Sequence, residues 1–277
     1  MTNPLEYTII EGVKCFSPGV AHAYDDYPDA GFALTDANAE RSFWVRSRNR
    51  LFKWLVNQNL AGGPKTRLLE IGCGTGDFVQ HLVNDDRLEI TGSEIYLRGL
   101  VYAKRNLPQV DFVQFDVTQG TVGEHFDIIT AFDVLEHIED DQAAMANIHN
   151  MLTSSGVAII SVPQHMFLWG RLDEIVKHKR RYSRAEMVKK LGDNGFEVTR
   201  ATSFVFTLFP LMLIARLLDR KAKAEPEPDD AALESRVTFS PFVNRLFDLV
   251  MRLDETLIRL GLSLPLGGTL VVVAKKR

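Results

Sequence analysis

The sequence predicts an α/β protein, a mostly parallel sheet with helices on both faces, and three observations carry that expectation. From residue 67 onward, apolar strand-like runs alternate with segments of helical period, the pattern by which a chain winds a parallel sheet. The stretch "RLLEIGCGTGDFVQHLV", residues 67–83, places three glycines in five positions between an apolar run and a helical pattern. Carboxylates stand at or near four successive strand ends, at Glu70, Glu94, Asp116 and Asp133.

Taken in order, "RLLEI" is the first strand, and "GDFVQHLV" reads as a helix with Phe78, Val79, Leu82 and Val83 on one face. "RLEITGSEI" is the second strand, "LRGLVYAKRNL" a helix, "VDFVQFD" the third strand and "FDIITAFD" the fourth. "DQAAMANIHNML" reads as a helix stopped before Gly156, and "VAIISVP" as the fifth strand. Ser183 with Glu186 three residues on forms a capping box that starts a helix, Gly195 ends it, and a sixth strand follows. "TLVVVAKK", residues 269–276, is the seventh and last strand.

These elements divide the chain into residues 1–62, a helical and turn-rich segment over the ligand side; 63–203, the core; 204–262, a helical insertion; and 263–277, the final strand. Within the first segment "ERSFWVRSRNRLFKWLV" reads as a helix, and Tyr24 and Tyr27 lie in a turn-rich stretch within reach of a ligand. The insertion opens with "FVFTLFPLMLIARLL", about a dozen uncharged residues where a membrane span needs roughly 20. Residues 219–235 are charged and proline-bearing, as in a linker. Beyond them Val243, Leu246, Phe247, Val250, Leu253, Leu257 and Leu260 recur at helical spacing, an amphipathic helix. Two uses of the insertion stay open: a cap over the chain's own mouth, or an interfacial membrane element.

Composition narrows the class. A hydrophobic share of 45% and a charged share of 25% are those of a globular protein. The net charge of −4 supplies no overall basic field, which disfavours nucleic acid as a partner. Two cysteines, Cys15 and Cys73, with one inside the glycine stretch, point away from a disulfide framework. The amino-terminal residues lack a basic segment followed by an apolar core, so a cytoplasmic address is expected, with a peripheral place at the inner face of the membrane as the variant.

The glycine stretch carries the chemistry. In an open parallel sheet, ligands sit beyond the carboxyl ends of the strands, where strand turns into helix. Gly72, Gly74 and Gly76 alternate instead of following the G-x-G-x-x-G dinucleotide order, and Glu70 stands two residues before the first. A carboxylate beside that turn is unwelcome to a pyrophosphate and suits a cation. Glu94, 18 residues after Gly76, is placed to accept both hydroxyls of a ribose. Asp116 is placed to accept from the exocyclic amine of a base.

With "LLEIGCGTGDF", "ITGSEI", "VQFDV", "FDIITAFDVLEHI" and "GVAIISVPQ" in order, the chain resembles a class I S-adenosylmethionine-dependent methyltransferase over roughly residues 65–200. The resemblance implies a Rossmann-like seven-stranded sheet, mostly parallel with an antiparallel last strand. It implies S-adenosylmethionine as cofactor, its methionine part against Glu70, Gly72, Gly74 and Gly76, its ribose at Glu94 and Ile95, and its adenine at Asp116 and Val117, with Asp133 completing the row.

Methyl transfer from a sulfonium is an in-line displacement governed by alignment and exclusion of water. A hydroxyl acceptor must also lose a proton, for which histidine is suited. His165, His178 and His137 are the candidates. "SVPQHMFLWGRLDEIVKHKRRYS" lies where the family places acceptor contacts, which favours His165 or His178 as base, with Trp169, Arg181 and Tyr182 shaping the pocket and Tyr182 available to the chemistry. "DVLEH" is similar to the E-x-x-E-H of ubiquinone-pathway and small-RNA methyltransferases, but Asp133 replaces the first glutamate, so Asp133, Glu136 and His137 are not expected to hold a metal. The expected acceptor is a small or lipid-linked molecule methylated on oxygen or nitrogen; a cofactor-binding scaffold without turnover at a membrane and a metal-dependent RNA 2′-O-methyltransferase are the alternatives.

Overall fold

A computed structural model of the chain describes residues 5–23, 42–63, 65–221 and 239–277. Tyr24, Tyr27 and most of the expected linker fall outside these residues. In chain order the strands and helices are β1 (Thr8–Ile10), β2 (Val13–Cys15), α1 (Phe43–Gln58), β3 (Thr66–Ile71), β4 (Leu88–Glu94), α2 (Leu97–Asn106), β5 (Asp111–Gln114), β6 (Phe126–Phe132), α3 (Asp141–Met151), β7 (Leu152–Pro163), α4 (Arg171–Ile175), α5 (Arg184–Asp193), β8 (Phe196–Phe204), α6 (Phe209–Lys221), α7 (Pro241–Arg259) and β9 (Thr269–Lys276).

Among the described residues the strands form one sheet of nine, ordered β1-β2-β5-β4-β3-β6-β7-β9-β8. The run from β5 to β7 is parallel, and β9 pairs antiparallel with both β7 and β8. The seven expected strands are all present in the expected α/β arrangement. The count rises to nine because an amino-terminal hairpin, β1 with β2, adds to the free edge of β5 through a parallel β2–β5 pairing. Those two strands are only three residues each, too short for a period-two pattern to mark them.

Successive strand residues point to opposite faces, so neighbours divide between two cores. Leu69, Ile129, Ile160 and Val272 face one layer with Met145 and Ile148 of α3 and Met187 and Leu191 of α5. Leu68, Ile128, Ile159 and Val271 face the other with Leu51, Phe52 and Leu55 of α1 and Met251 and Ile258 of α7. Each such fully buried side chain contributes about 1.5–3 kcal/mol. Ser183 caps α5 by accepting the Glu186 N–H at 3.2 Å, and Gly195, at φ 83°, turns the chain into β8, as the sequence indicates.

One expected helix is corrected. The helix read over "GDFVQHLV" is a turn with a short 3-10 segment, Val79–His81, in which His81 and Leu82 N–H groups bond three residues back. Phe78, Val79 and Leu82 are buried as expected, but the segment is too short to offset the cost of nucleating an α-helix. Helix α3, Asp141–Met151, ends before Gly156 as expected, and β7 begins at once. On α7, Met251, Asp254, Glu255 and Ile258 are inside, whereas Leu246, Leu253 and Leu260 of the apolar stripe are exposed. No helix among the described residues is long and apolar enough to cross a membrane.

Candidate functional site

Chain order starts at β3, moves outward to β4 and β5, then returns to the other side of β3 as β6. That reversal leaves a crevice beyond the carboxyl ends of β3 and β6, the usual place for a ligand in an open sheet. The glycine turn after β3 and the Asp133 turn after β6 both open onto it.

Gly72, Gly74 and Gly76 all have positive φ, at 71°, 54° and 86°. A methyl group on Gly72 would lie 2.4 Å from Val134 in the β6 turn, so this glycine is required by packing. A methyl group on Gly74 would meet nothing within 4 Å, so the turn presents bare backbone to open space there. Beside it Glu70 is buried, and its Oε2 has no hydrogen-bond partner. Burial first, and then the negative charge of Asp77, push its carboxyl up to about 8. A buried acid with an orphaned oxygen beside bare peptide fits a cationic group such as the ammonium of an amino-acid ligand.

Glu94, at the end of β4, accepts N–H groups from Gly74 at 3.1 Å and Ile95 at 2.8 Å. These bonds lock the carboxylate between the two turns, and burial raises its pKa against their lowering effect. Asp116 follows β5 by two residues, and its carboxylate accepts from Thr118 N–H and Oγ1 and from Gln119, so it closes its own turn. Val117 is buried, and its carbonyl accepts from Asn147.

Asp133 has φ 55° and is held by Ser161 Oγ, which donates at 3.0 Å, and by Arg48 of α1, whose Nη1 donates at 2.7 Å. Arg48 also stands 3.9 Å from Asp77, and Asn49 donates to Asp77 at 3.0 Å. Helix α1 is thereby tied across the mouth of the glycine turn. The roles of Arg48, Asn49 and Asp77 were not legible in the sequence, because the partners are 28 and 85 residues apart.

On the other side of the crevice, the segment following β7 folds over the β6 turn, with Lys179 N–H donating to Glu136 O. His178 Nδ1 lies 2.9 Å from Asp173 Oδ1, and its Nε2 lies 3.8 Å from Glu136 Oε1. Burial alone would raise Asp173, but hydrogen bonds from His178 and Arg181 bring it down to about 2. Glu136 is fully buried, neither of its oxygens has a hydrogen-bond partner, and burial with the nearby Asp133 charge pushes it well above the carboxylate range. His137 packs edge-on against His178, and burial and that neighbour lower its pKa to about 4. Ligand atoms of Glu136, His137 and His178 lie within 4.8 Å of one another, a set whose chemistry also suits a divalent ion. The trio Asp133, Glu136 and His137 considered from spacing is not assembled: Asp133 precedes the 3-10 turn Leu135–His137 and is turned to Arg48 and Ser161.

His165 has φ 64° and stacks on Phe167, with Phe209 of α6 edge-on; its Nε2 is buried without a partner, and burial and Arg181 lower its pKa. Trp169 is half-buried just before α4. Arg181 is not free to line a pocket, since it is buried and spends its guanidinium on Asp173 and the Gln164 carbonyl. Tyr182 is corrected outright as a chemical group: it is fully buried in the core and its hydroxyl donates to Asp141 at 2.8 Å. Its position after the basic run gave no sign that β7 would pull it inward through the Tyr182 N–H bond to Pro163 O.

The sequence profile of the family described as Methyltransferase domain matches residues 37–201. A probable S-adenosylmethionine-dependent methyltransferase of Mycolicibacterium smegmatis is 26% identical over 163 residues, covering 58% of this chain and 62% of that protein. A ubiquinone biosynthesis O-methyltransferase of Rickettsia canadensis is 24% identical over 161 residues, covering 52% of this chain and 68% of that one. The chain spans about 40–68% of the length of the curated relatives it matches. Among solved structures, the N-methyltransferase NodS from Bradyrhizobium japonicum, in complex with S-adenosyl-L-homocysteine, superposes with a TM-score of 0.51 at 15% identity over 92% of this chain and 95% of that one, a likeness of fold.

Proposed function

The chain belongs to the methyltransferase-domain family, and from that premise we propose that it transfers the methyl group of S-adenosylmethionine to an oxygen or nitrogen of a small or lipid-linked acceptor. The observation that carries this reading is the pairing of bare backbone at Gly74 with the orphaned, buried carboxyl of Glu70. When bound, the cofactor supplies an electrophilic methyl on a sulfonium. Glu70 and the glycine turn hold the amino-acid end. Glu94, immobilised by Gly74 and Ile95, accepts from the ribose, and the β5 end with Asp116 and Val117 borders the adenine. Asp133 and Arg48 close the crevice between them and exclude water from the reacting atoms.

On the acceptor side, His178 is the base and Asp173 its orienting carboxylate. An ionised Asp173 can only accept, so Nδ1 carries the proton and Nε2 keeps a lone pair for the proton that a hydroxyl acceptor sheds. The carboxyl of Glu136 and the imidazole of His165, each with a polar atom that lacks a hydrogen-bond partner, are available to the rest of the acceptor. Both oxygen and nitrogen methylation occur among the relatives, in the ubiquinone-pathway protein and in NodS by their names. A lipid-linked acceptor accords with the apolar surfaces of Phe167 and α6 beside His165.

The test is calorimetry with S-adenosylmethionine, S-adenosyl-L-homocysteine and a nicotinamide dinucleotide, followed by incubation with labelled methyl donor and a lipid and metabolite extract. Binding of the first two and label in an extractable product is the expected result. Tight cofactor binding with no methyl transferred to any component would instead mark a scaffold, and heat only with the dinucleotide would remove the reading.

A further inference from the structure

The geometry points to the outer face of α7 as a docking surface for an anionic lipid bilayer. Helix α7 carries three acids and three arginines, and the fold sorts them by side. Asp254 and Glu255 are buried and Asp248 is nearly so, while Arg245, Arg252 and Arg259 are exposed. The inward acids are occupied. Asp254 accepts from Phe206 N–H at 2.6 Å and from Thr207 N–H at 3.0 Å, fixing the start of α6. Asp248 and Glu255 receive Arg50 of α1, at 2.9 and 2.6 Å.

What remains outward is apolar and cationic. Phe242, Leu246, Leu249, Leu253 and Leu260 recur at helical spacing, with Leu249 66% and Leu253 51% exposed, and the three arginines lie among them. Arg252 and Arg259 reach back to Asp248 and Glu255 only at 3.7 and 3.6 Å, and remain 60% and 43% exposed. Leu211, Ile214, Leu217 and Leu218 of α6 are exposed as well. A helix that turns its acids inward and leaves leucines and arginines to solvent matches the two demands of an interfacial helix, apolar burial and attraction to anionic headgroups. A second copy of the chain would place these arginines opposite one another, which the same charge pattern opposes. No helix among the described residues is long and apolar enough to span, so the contact is with the surface.

This inference adds a place to the methyl-transfer reading and stands separately from it. The test is flotation of the full chain with vesicles of phosphatidylcholine, alone or mixed with phosphatidylglycerol. The protein should float with the mixed vesicles and not with the neutral ones, less so as salt rises. Arg245→Gln and Arg252→Gln should each lower partitioning about fivefold. Leu249→Glu with Leu253→Glu should abolish flotation while thermal unfolding and calorimetric binding of S-adenosyl-L-homocysteine stay as in the parent. Failure to float with either vesicle, or flotation undiminished in the double leucine variant, would overturn the proposal, as would a dimer in sedimentation velocity that the double variant dissolves without any flotation. Cofactor binding measured on the same samples separates these failures from a failure of the methyl-transfer reading.

Discussion

Asp173 Oδ1 is shared by two donors, His178 Nδ1 at 2.9 Å and Arg181 Nε at 2.8 Å, so one buried carboxylate fixes both the imidazole and the loop that carries it. If His178 is the base, His178→Gln should lower kcat/KM by roughly 10²–10⁴-fold, the usual share of general base catalysis, with little change in cofactor Kd. Unaltered turnover would remove His178 from the chemistry. Turnover abolished by a chelator and restored by a divalent ion would make it a ligand with Glu136 and His137 instead.

Glu70 should announce the cofactor by releasing a proton. Its carboxyl titrates at about 8 in the free protein, so it is largely protonated at pH 7, and a bound ammonium favours the ionised form. Calorimetry at pH 7 in buffers of differing ionisation enthalpy should reveal up to about one proton released per cofactor, and Glu70→Gln should abolish that release. The raised pKa also sets a stability trend. The folded state holds this proton where an unfolded glutamate, at about 4.3, has lost it, so the contribution is full below that value and is lost as pH rises toward 8. The Gln variant should flatten unfolding free energy over that window.

The two glycines should separate packing from binding. Gly72→Ala would drive a methyl into Val134 at 2.4 Å and is expected to destabilise the fold by about 2–4 kcal/mol, from overpacking and positive φ together. Gly74→Ala meets open space and should cost only about 1 kcal/mol of stability, yet weaken cofactor binding at least tenfold. Equal effects of both on denaturation midpoint with no difference in affinity would contradict the assignment of the open side.

Tyr182→Phe separates packing from chemistry at this hydroxyl. Removing a buried hydroxyl that donates to Asp141 should cost about 1–3 kcal/mol in chemical denaturation. Turnover of the folded variant should match the parent, whereas a large loss of kcat at unchanged stability would return Tyr182 to the chemistry.

Arg50 anchors α7 on α1. Arg50→Met leaves the buried Glu255 without its main partner and should destabilise by about 2 kcal/mol, less than the 3–5 of a fully buried pair because Arg50 is 27% exposed. Cofactor affinity should change less than stability, since Arg48, not Arg50, reaches Asp133.

The sequence by itself determined the seven core strands and the turns that border the crevice. Local information sufficed there: the strands are short apolar runs, Gly72 and Gly74 need a backbone that only glycine adopts freely, and Glu70 and Glu94 follow from position along the strand. Tertiary structure alone decided the rest, because those outcomes depend on partners far apart in the chain. Arg48 meets Asp133 across 85 residues, and Tyr182 is drawn inward by Pro163 and Asp141. The amphipathic pattern of α7 fixed a helix but not which side would be buried, since leucines occupy both. Arg50 chose that side by taking Asp248 and Glu255, two charges that would be costly to bury without a partner.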